Sequence, residues 1–583
     1  MESTYRACNV RSVTRGAGDR IARRIALVLS VAGLAALAPG SGWGVRPAEA
    51  ATYLVTNTTD AAAGSLRDAI NSANANAGTD SVHFAIPNGD PGHDVGLGVW
   101  RIAPLTILPT ITEALILDAS TQPGWIGTPV VELDCAGAVG ATAGILIHAD
   151  DCLVRGFIVH SSADEGIEIA GDTGYGDFNV IENCWVGLRP DRTPAPNSEY
   201  GIMLTNSARA NRIGGTGPFD GNVIGASPLS SIVIRNSSSN DNVVIGNRIG
   251  VGPDGLTPRG GQQHGIEIHD DAQRNRIGGA TAAEANVIAY HLLDGVRIAS
   301  NAGEGNEVLR NSIYANQGLG IDLEGDGVTA NDGALSSTTT NQRIDHPVLT
   351  TAVIGPSNLR VGGFIGIGSG QAVFAGARVE VFRAAVDPSG FGEGRTFVGA
   401  LTADANGRFS GALPSAGLVA GDTLTATATL APAGTSEFGP ALRVDALRVT
   451  KRAFLADGTP LISGAVLPRG TLVRFLLYVS NAGGLVPDLG VRDSLATGFQ
   501  YLPGSLHVDA SQPDCPGGTC DAAREAAIYA AAALAAIRTD GVDADVASFG
   551  AGIVRAGDRE VANARLDAPA ARVWALLFSV RVQ

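Results

Sequence analysis

Part of the chain repeats itself at a constant offset of 64 residues. Tyr200-Gly201-Ile202 returns as His264-Gly265-Ile266, and Asn211-Arg212-Ile213-Gly214-Gly215 returns as Asn275-Arg276-Ile277-Gly278-Gly279. Asn222-Val223-Ile224 returns as Asn286-Val287-Ile288. A fixed period is the mark of a solenoid, because each unit can bury its apolar face only against its neighbours.

Each 64-residue repeat contains two turns of that solenoid. The motif Gly-Ile-x-Ile, or a close variant, starts at Gly144, Gly166, Gly201, Ser231, Gly265, Gly295 and Gly320. Apolar residues alternating over so short a stretch predict strands, since successive strand side chains point to opposite faces. The spacings, 22 to 35 residues, suit one turn of a parallel β-helix with loops of variable length. Two series of asparagines introduce two further strands per turn. The first is Asn179, Asn211, Asn242, Asn275 and Asn306; the second is Asn183, Asn222, Asn247, Asn286 and Asn311. Stacked at the strand spacing of ~4.8 Å, each series predicts a ladder of side-chain amides bonding coil to coil. Asparagine also tolerates the left-handed backbone of tight corners. The expected architecture is mainly β, with three parallel sheets around one core of Ile, Val and Leu.

Residues 1–50 read as an export signal: a basic stretch ending in Arg23-Arg24, an apolar run from Ile25 to Ala38, and Ala48-Glu49-Ala50 for cleavage. No later stretch supplies ~20 consecutive apolar residues. The run Ala526 to Ile537 is too short to span a bilayer and predicts a packing helix. The formal charge is −16, and the signal carries seven Arg against Glu2, Asp19 and Glu49, so the remainder is nearer −20. That argues against nucleic acid as a partner, which needs basic patches. Cys515 and Cys520 stand close enough for a loop-closing disulfide in an oxidising compartment. Cys152 falls where the first asparagine ladder would place its next member and reads as a small buried hydrophobe.

The start of the exported part, Thr52-Tyr53-Leu54-Val55-Thr56-Asn57 followed by Gly64-Ser65-Leu66-Arg67-Asp68-Ala69-Ile70, resembles the CSLREA-domain family of exported bacterial right-handed parallel β-helix proteins. Gly64 stands for the cysteine of the family's signature and Asp68 for its glutamate. Physically the segment predicts a short amphipathic helix with Ser65 as N-cap and Leu66, Ala69, Ile70 and Ala73 inward, closing the open end of the solenoid. Residues 341–446 alternate as a β-sandwich does. The stretch from Val449 through Pro468-Arg469-Gly470-Thr471 to Tyr501-Leu502-Pro503-Gly504-Ser505 resembles immunoglobulin-like conserved repeats of bacterial surface proteins. The expected domains are therefore a signal over 1–50, a β-helix over 51–340, an Ig-like sandwich over 341–446, and a second such module with a helical insert over 447–583.

Function is sought on the outward column of the Gly-Ile-x-Ile strands, where the middle residue and the one after the motif are expected to face water. That column presents Glu267 and His269, then Arg297, then Asp322 and Glu324. An arginine beside carboxylates suits binding of acidic sugars, and paired carboxylates suit glycoside hydrolysis. Opposite charges on neighbouring strands also occur simply as cross-strand pairs. The acidic loop with Asp322, Glu324, Asp326, Asn331 and Asp332 has oxygens spaced for Ca²⁺, although Gly333 occupies the place of an EF-hand's final glutamate. The favoured expectation is a monomeric, secreted or cell-surface protein that binds glycan or another surface ligand without catalysis. A polysaccharide lyase or hydrolase using Glu267, His269, Arg297 and Asp322 is the alternative, and a structural spacer a third.

Overall fold

The computed structural model describes residues 50–583 apart from 141–142, 173, 355–357, 416, 463, 482–485, 487, 516–519, 544, 559–560, 562 and 570. The segment read as a signal lies, except for Ala50, outside the described residues. The chain forms two compact units. One holds the residues up to Leu293 together with Arg297–Arg310; the other holds Asp294–Val296 and Asn311–Gln583. Among the described residues no helix is long and apolar enough to cross a membrane.

In the first unit, successive strands visit three sheets in turn. Val180–Glu182 joins the first sheet, Trp185–Val186 the third and Ile202–Thr205 the second. The next coil repeats the order with Arg212–Gly214, Val223–Ile224 and Ile232–Arg235. Among the described strands of this unit the pairing is parallel, save for the hairpin of His93–Asp94 with Val99–Ile102 and isolated antiparallel bridges in the turns. The first sheet has nine strands, from Thr52–Val55 to Glu307–Leu309. In the second sheet Ile145, Ile167, Ile202, Ile232 and Ile266 fall in one register, and Ile147, Ile169, Leu204, Ile234 and Ile268 in another. All are buried. Each buried aliphatic side chain contributes roughly 1.5–3 kcal/mol, so these files hold the coils together. At the chain's start, helix Leu66–Asn74 is capped by Ser65, whose side chain accepts from Asp68 N at 3.2 Å. It buries Leu66, Ala69, Ile70 and Ala73.

The asparagines stand at the corners. Asn179, Asn211, Asn242 and Asn275 donate their backbone N–H groups to the Oδ1 of Asn211, Asn242, Asn275 and Asn306, at 2.8 to 3.0 Å. Cys152 N donates to Asn179 Oδ1 in the same way. In the second series Asn222 N donates to Asn247 Oδ1 and Asn247 N to Asn286 Oδ1. Asn311 is buried in the other unit. Asn183 departs from the expected series: Cys184 holds the ladder place, its N–H donating to Asn222 Oδ1 at 2.9 Å. Asn183 instead adopts φ 53° and holds the left-handed corner. The same division explains the first series, in which Phe178, Ala210, Asp241 and Arg274, each just before a ladder asparagine, carry the positive φ. The asparagines there supply amides, and the turn falls to their predecessors.

The second unit is largely antiparallel. One sheet runs Arg408–Leu413, Leu359–Ile365, Pro347–Ile354, Asp445–Leu455, Leu472–Asn481, Arg572–Val582, Leu506–Asp509 and Ile537–Arg538. A second sheet is built on Glu393–Thr402, Arg378–Ala385 and Thr423–Leu430. The single strand Asp445–Leu455 runs through residues 446 and 447, where a boundary was expected. That strand pairs in parallel with Pro347–Ile354 and antiparallel with Leu472–Asn481, so one sheet serves both expected modules. Helix Ala522–Leu534 is capped by Asp521 and buries Ile528, Tyr529 and Ala532. Cys515 and Cys520 are joined by a disulfide beside it, in a cluster with Phe454 and Leu577.

A candidate binding cleft on the third sheet

Glu267 does not face water as the strand alternation predicts. It is 7% exposed, and Met203 and Val233, which share its register, are 4% and 0% exposed. The reason lies in the turns, which fold over the strand edges: Ser230 Oγ, from the turn preceding one strand, donates to Glu267 Oε2 at 2.8 Å. Arg297 Nη1 donates to Glu267 Oε1 at 2.7 Å, and His269 Nδ1 lies 2.9 Å from Asp270. These groups are committed to one another.

Asp322 and Glu324 belong to the second unit. Asp322 is buried and accepts from Gly325 N at 3.1 Å; burial, and then Asp294, push its carboxyl up to about 6. Glu324 pairs with Arg343 at 2.6 Å. Asn331 spends its side chain on the backbone, donating to His346 O and Gly366 O and accepting from His346 N. Asp332 accepts from Ala334 N. Four of the five residues read as a Ca²⁺ loop thus make local bonds of their own. Among the described residues one trio of acidic, His or Cys side chains brings ligand atoms within 4.8 Å of one another, and none of the five belongs to it.

A different constellation lies on the outer face of the third sheet. Val99–Ile102, Val131–Asp134 and Phe157–His160 pair in parallel, with Arg101 opposite Glu132 and Asp134 opposite His160. Alternation sends Val131 and Leu133 into the core and turns Glu132 and Asp134 outward. Arg101 Nη2 bonds Asp134 Oδ2. Buried His160 sits beneath, with Nε2 at 2.8 Å from Glu132 Oε1, and Nδ1 at 3.0 Å from Ser161 Oγ and 3.7 Å from Asp134 Oδ1.

Two inserts wall these residues, the hairpin carrying His93 and Asp94 and the turn carrying Arg189 and Asp191. His93 stacks on Trp100 at 4.4 Å, with the rings 10° from parallel. An outward apolar cluster of Val99, Ile158, Trp185, Leu188 and Val223 packs on the same sheet. The result is an open cleft of about 760 Å³ with Arg101, Glu132 and Asp134 in its lining. It offers fixed donors and acceptors side by side, as recognition of a polyhydroxyl ligand needs. Sequence reading missed it because Arg101, Glu132 and His160 lie in early coils outside the 64-residue repeat. The available signal was Val131-Glu132-Leu133-Asp134, the one strand with two acids on a single face next to a strand ending in histidine.

No protein-family model matches the chain.

Proposed function

We propose that the chain is an exported, non-catalytic surface protein that binds glycan in the third-sheet cleft. In this reading the solenoid is a right-handed β-helix, the hand that parallel crossovers take, and the second unit consists of Ig-like modules. The Gly64–Ile70 segment, with its likeness to exported β-helix proteins, supports the export reading. The cleft is the observation that carries the binding role. Its central charged groups are matched, Arg101 with Asp134 and His160 with Glu132, which suits orienting sugar hydroxyls. Its lining holds the acids Asp94, Glu132, Asp134 and Asp191 against Arg101 and Arg189, so an uncharged glycan fits better than an acidic one.

Glycan-array screening followed by calorimetry with a neutral oligosaccharide tests this. Arg101→Ala and Asp134→Ala should each weaken binding about tenfold, the equivalent of about 1.4 kcal/mol. Absence of binding, or binding indifferent to both substitutions, would overturn the proposal. The 2.8 Å contact of His160 with Glu132 favours a second reading as a glycan-cleaving enzyme. Product formation that Glu132→Gln abolishes would select that reading.

A further inference from the structure

The turns that lead into the second sheet bring together carboxylates that have no cation. Asp164 and Glu165 stand just before strand Ile167–Ala170, and Glu199 stands before Ile202–Thr205 one coil further on. Backbone bonds stitch the two turns: Glu199 N donates to Asp164 O at 3.2 Å, Gly166 N to Tyr200 O at 3.1 Å, and Ser198 N to Ser162 O at 2.9 Å. This stacking places ligand oxygens of Asp164, Glu165 and Glu199 within 4.8 Å of one another.

Several other carboxylates of the solenoid unit are neutralised. Glu132, Asp134, Asp177, Glu182, Asp241, Glu267 and Glu284 each have an arginine or histidine within 4 Å. Among the described residues, Asp164, Glu165 and Glu199 form no ion pair. Glu165 is the telling member. It is 2% exposed, and its Oε2 has no hydrogen-bond partner. A buried, unpaired carboxylate oxygen beside two like charges is strongly unfavourable unless a cation or proton joins it.

We infer that Asp164, Glu165 and Glu199 form a divalent-cation site that clamps two consecutive turns of the solenoid. The ligand set is all oxygen, which selects a hard cation, and its partly solvated carboxylates of adaptable reach suit Ca²⁺ better than the strict octahedron of Mg²⁺. The site is separate from the glycan reading and stands without it.

Calorimetry with CaCl₂ alone, on full-length chain stripped by chelator, reads the site directly. The expected result is a single binding event with Kd of roughly 10⁻⁴ M, in the range of extracellular Ca²⁺ modules, and a melting temperature that rises with the ion. Glu165→Gln should weaken binding by at least ~10-fold. Because a buried substitution can impair folding, Glu199→Gln, at a side chain that reaches solvent, carries the same test and should abolish the Ca²⁺-dependent rise. No binding heat and no thermal shift would overturn the site, as would Ca²⁺ affinity that survives both substitutions undiminished. Binding of Mg²⁺ in preference to Ca²⁺ would overturn the ion assignment.

Discussion

In the solenoid unit, buried Asn211, Asn242 and Asn275 make the same bonds in consecutive coils. In the second unit, buried Glu393 and Glu437 each have a set of donors found once. Glu393 accepts from the N and Nδ2 of Asn316. Glu437 accepts from Leu323 N and from the N and Oγ1 of Thr329. The contrast is between a polar problem solved once and copied, and two polar problems solved separately. A neutral amide has two acceptor lone pairs and two donors to place, and the ladder places them alike at Asn211, Asn242 and Asn275. A carboxylate brings charge as well, and neither bespoke set of donors offsets its burial, which pushes both groups up to about 7.

The sharpest way to break this comparison is to remove one rung. Asn242 accepts from the N and Nδ2 of Asn211 and donates to Ala208 O and Asn275 Oδ1. Asn242→Ala should cost about 2–4 kcal/mol, at about 1 kcal/mol for each buried bond left unmade. Urea denaturation gives the magnitude, and hydrogen exchange should rise at Asn211. A loss below about 1 kcal/mol would mean the ladder is ornament on an aliphatic core.

The carboxylates predict the opposite behaviour with pH. Folded Glu393 and Glu437 hold protons that the unfolded chain releases above its ordinary value of 4.5. Stability of the second unit should therefore fall as pH rises from about 4.5 to about 7 and level off above, by on the order of 1–3 kcal/mol for each group. Melting curves at pH 5 and pH 8 should lie closer together in the Glu393→Gln/Glu437→Gln double variant. Identical pH slopes in the two proteins would refute this account.

The smallest effect belongs to the pair first suspected of function. Arg297→Ala should cost about 1 kcal/mol, since Ser230 still holds Glu267, and should leave glycan affinity unchanged. Loss of binding in this variant would move the site to the second sheet.

Legibility followed repetition. The register of Ile167, Ile202, Ile232 and Ile266 could be read because the same pattern recurs at a spacing that only stacking explains. Asn183 misled because asparagine serves two purposes at these corners, and here it takes the left-handed place while Cys184 takes the rung. Glu267 misled because alternation tells which side of a strand a residue is on, and says nothing of a neighbouring turn folded over that side. The cleft acids were hidden for a different reason. Arg101, Glu132 and His160 come together through three parallel strands whose loops differ in length, and no fixed spacing marks them. The Asp164, Glu165 and Glu199 trio was hidden in the same way, its partners split between turns of unequal length.

The direction of the corner bonds has a consequence for how such a chain assembles. From Cys152 to Asn275 the backbone N–H of a rung waits for an oxygen supplied by a residue some 25 to 39 places later. A coil is consequently finished by its successor and never by itself. For a polypeptide emerging amino end first, closure advances like a zip whose slider always trails the newest turn, so the most recently formed edge is at each moment the least settled part.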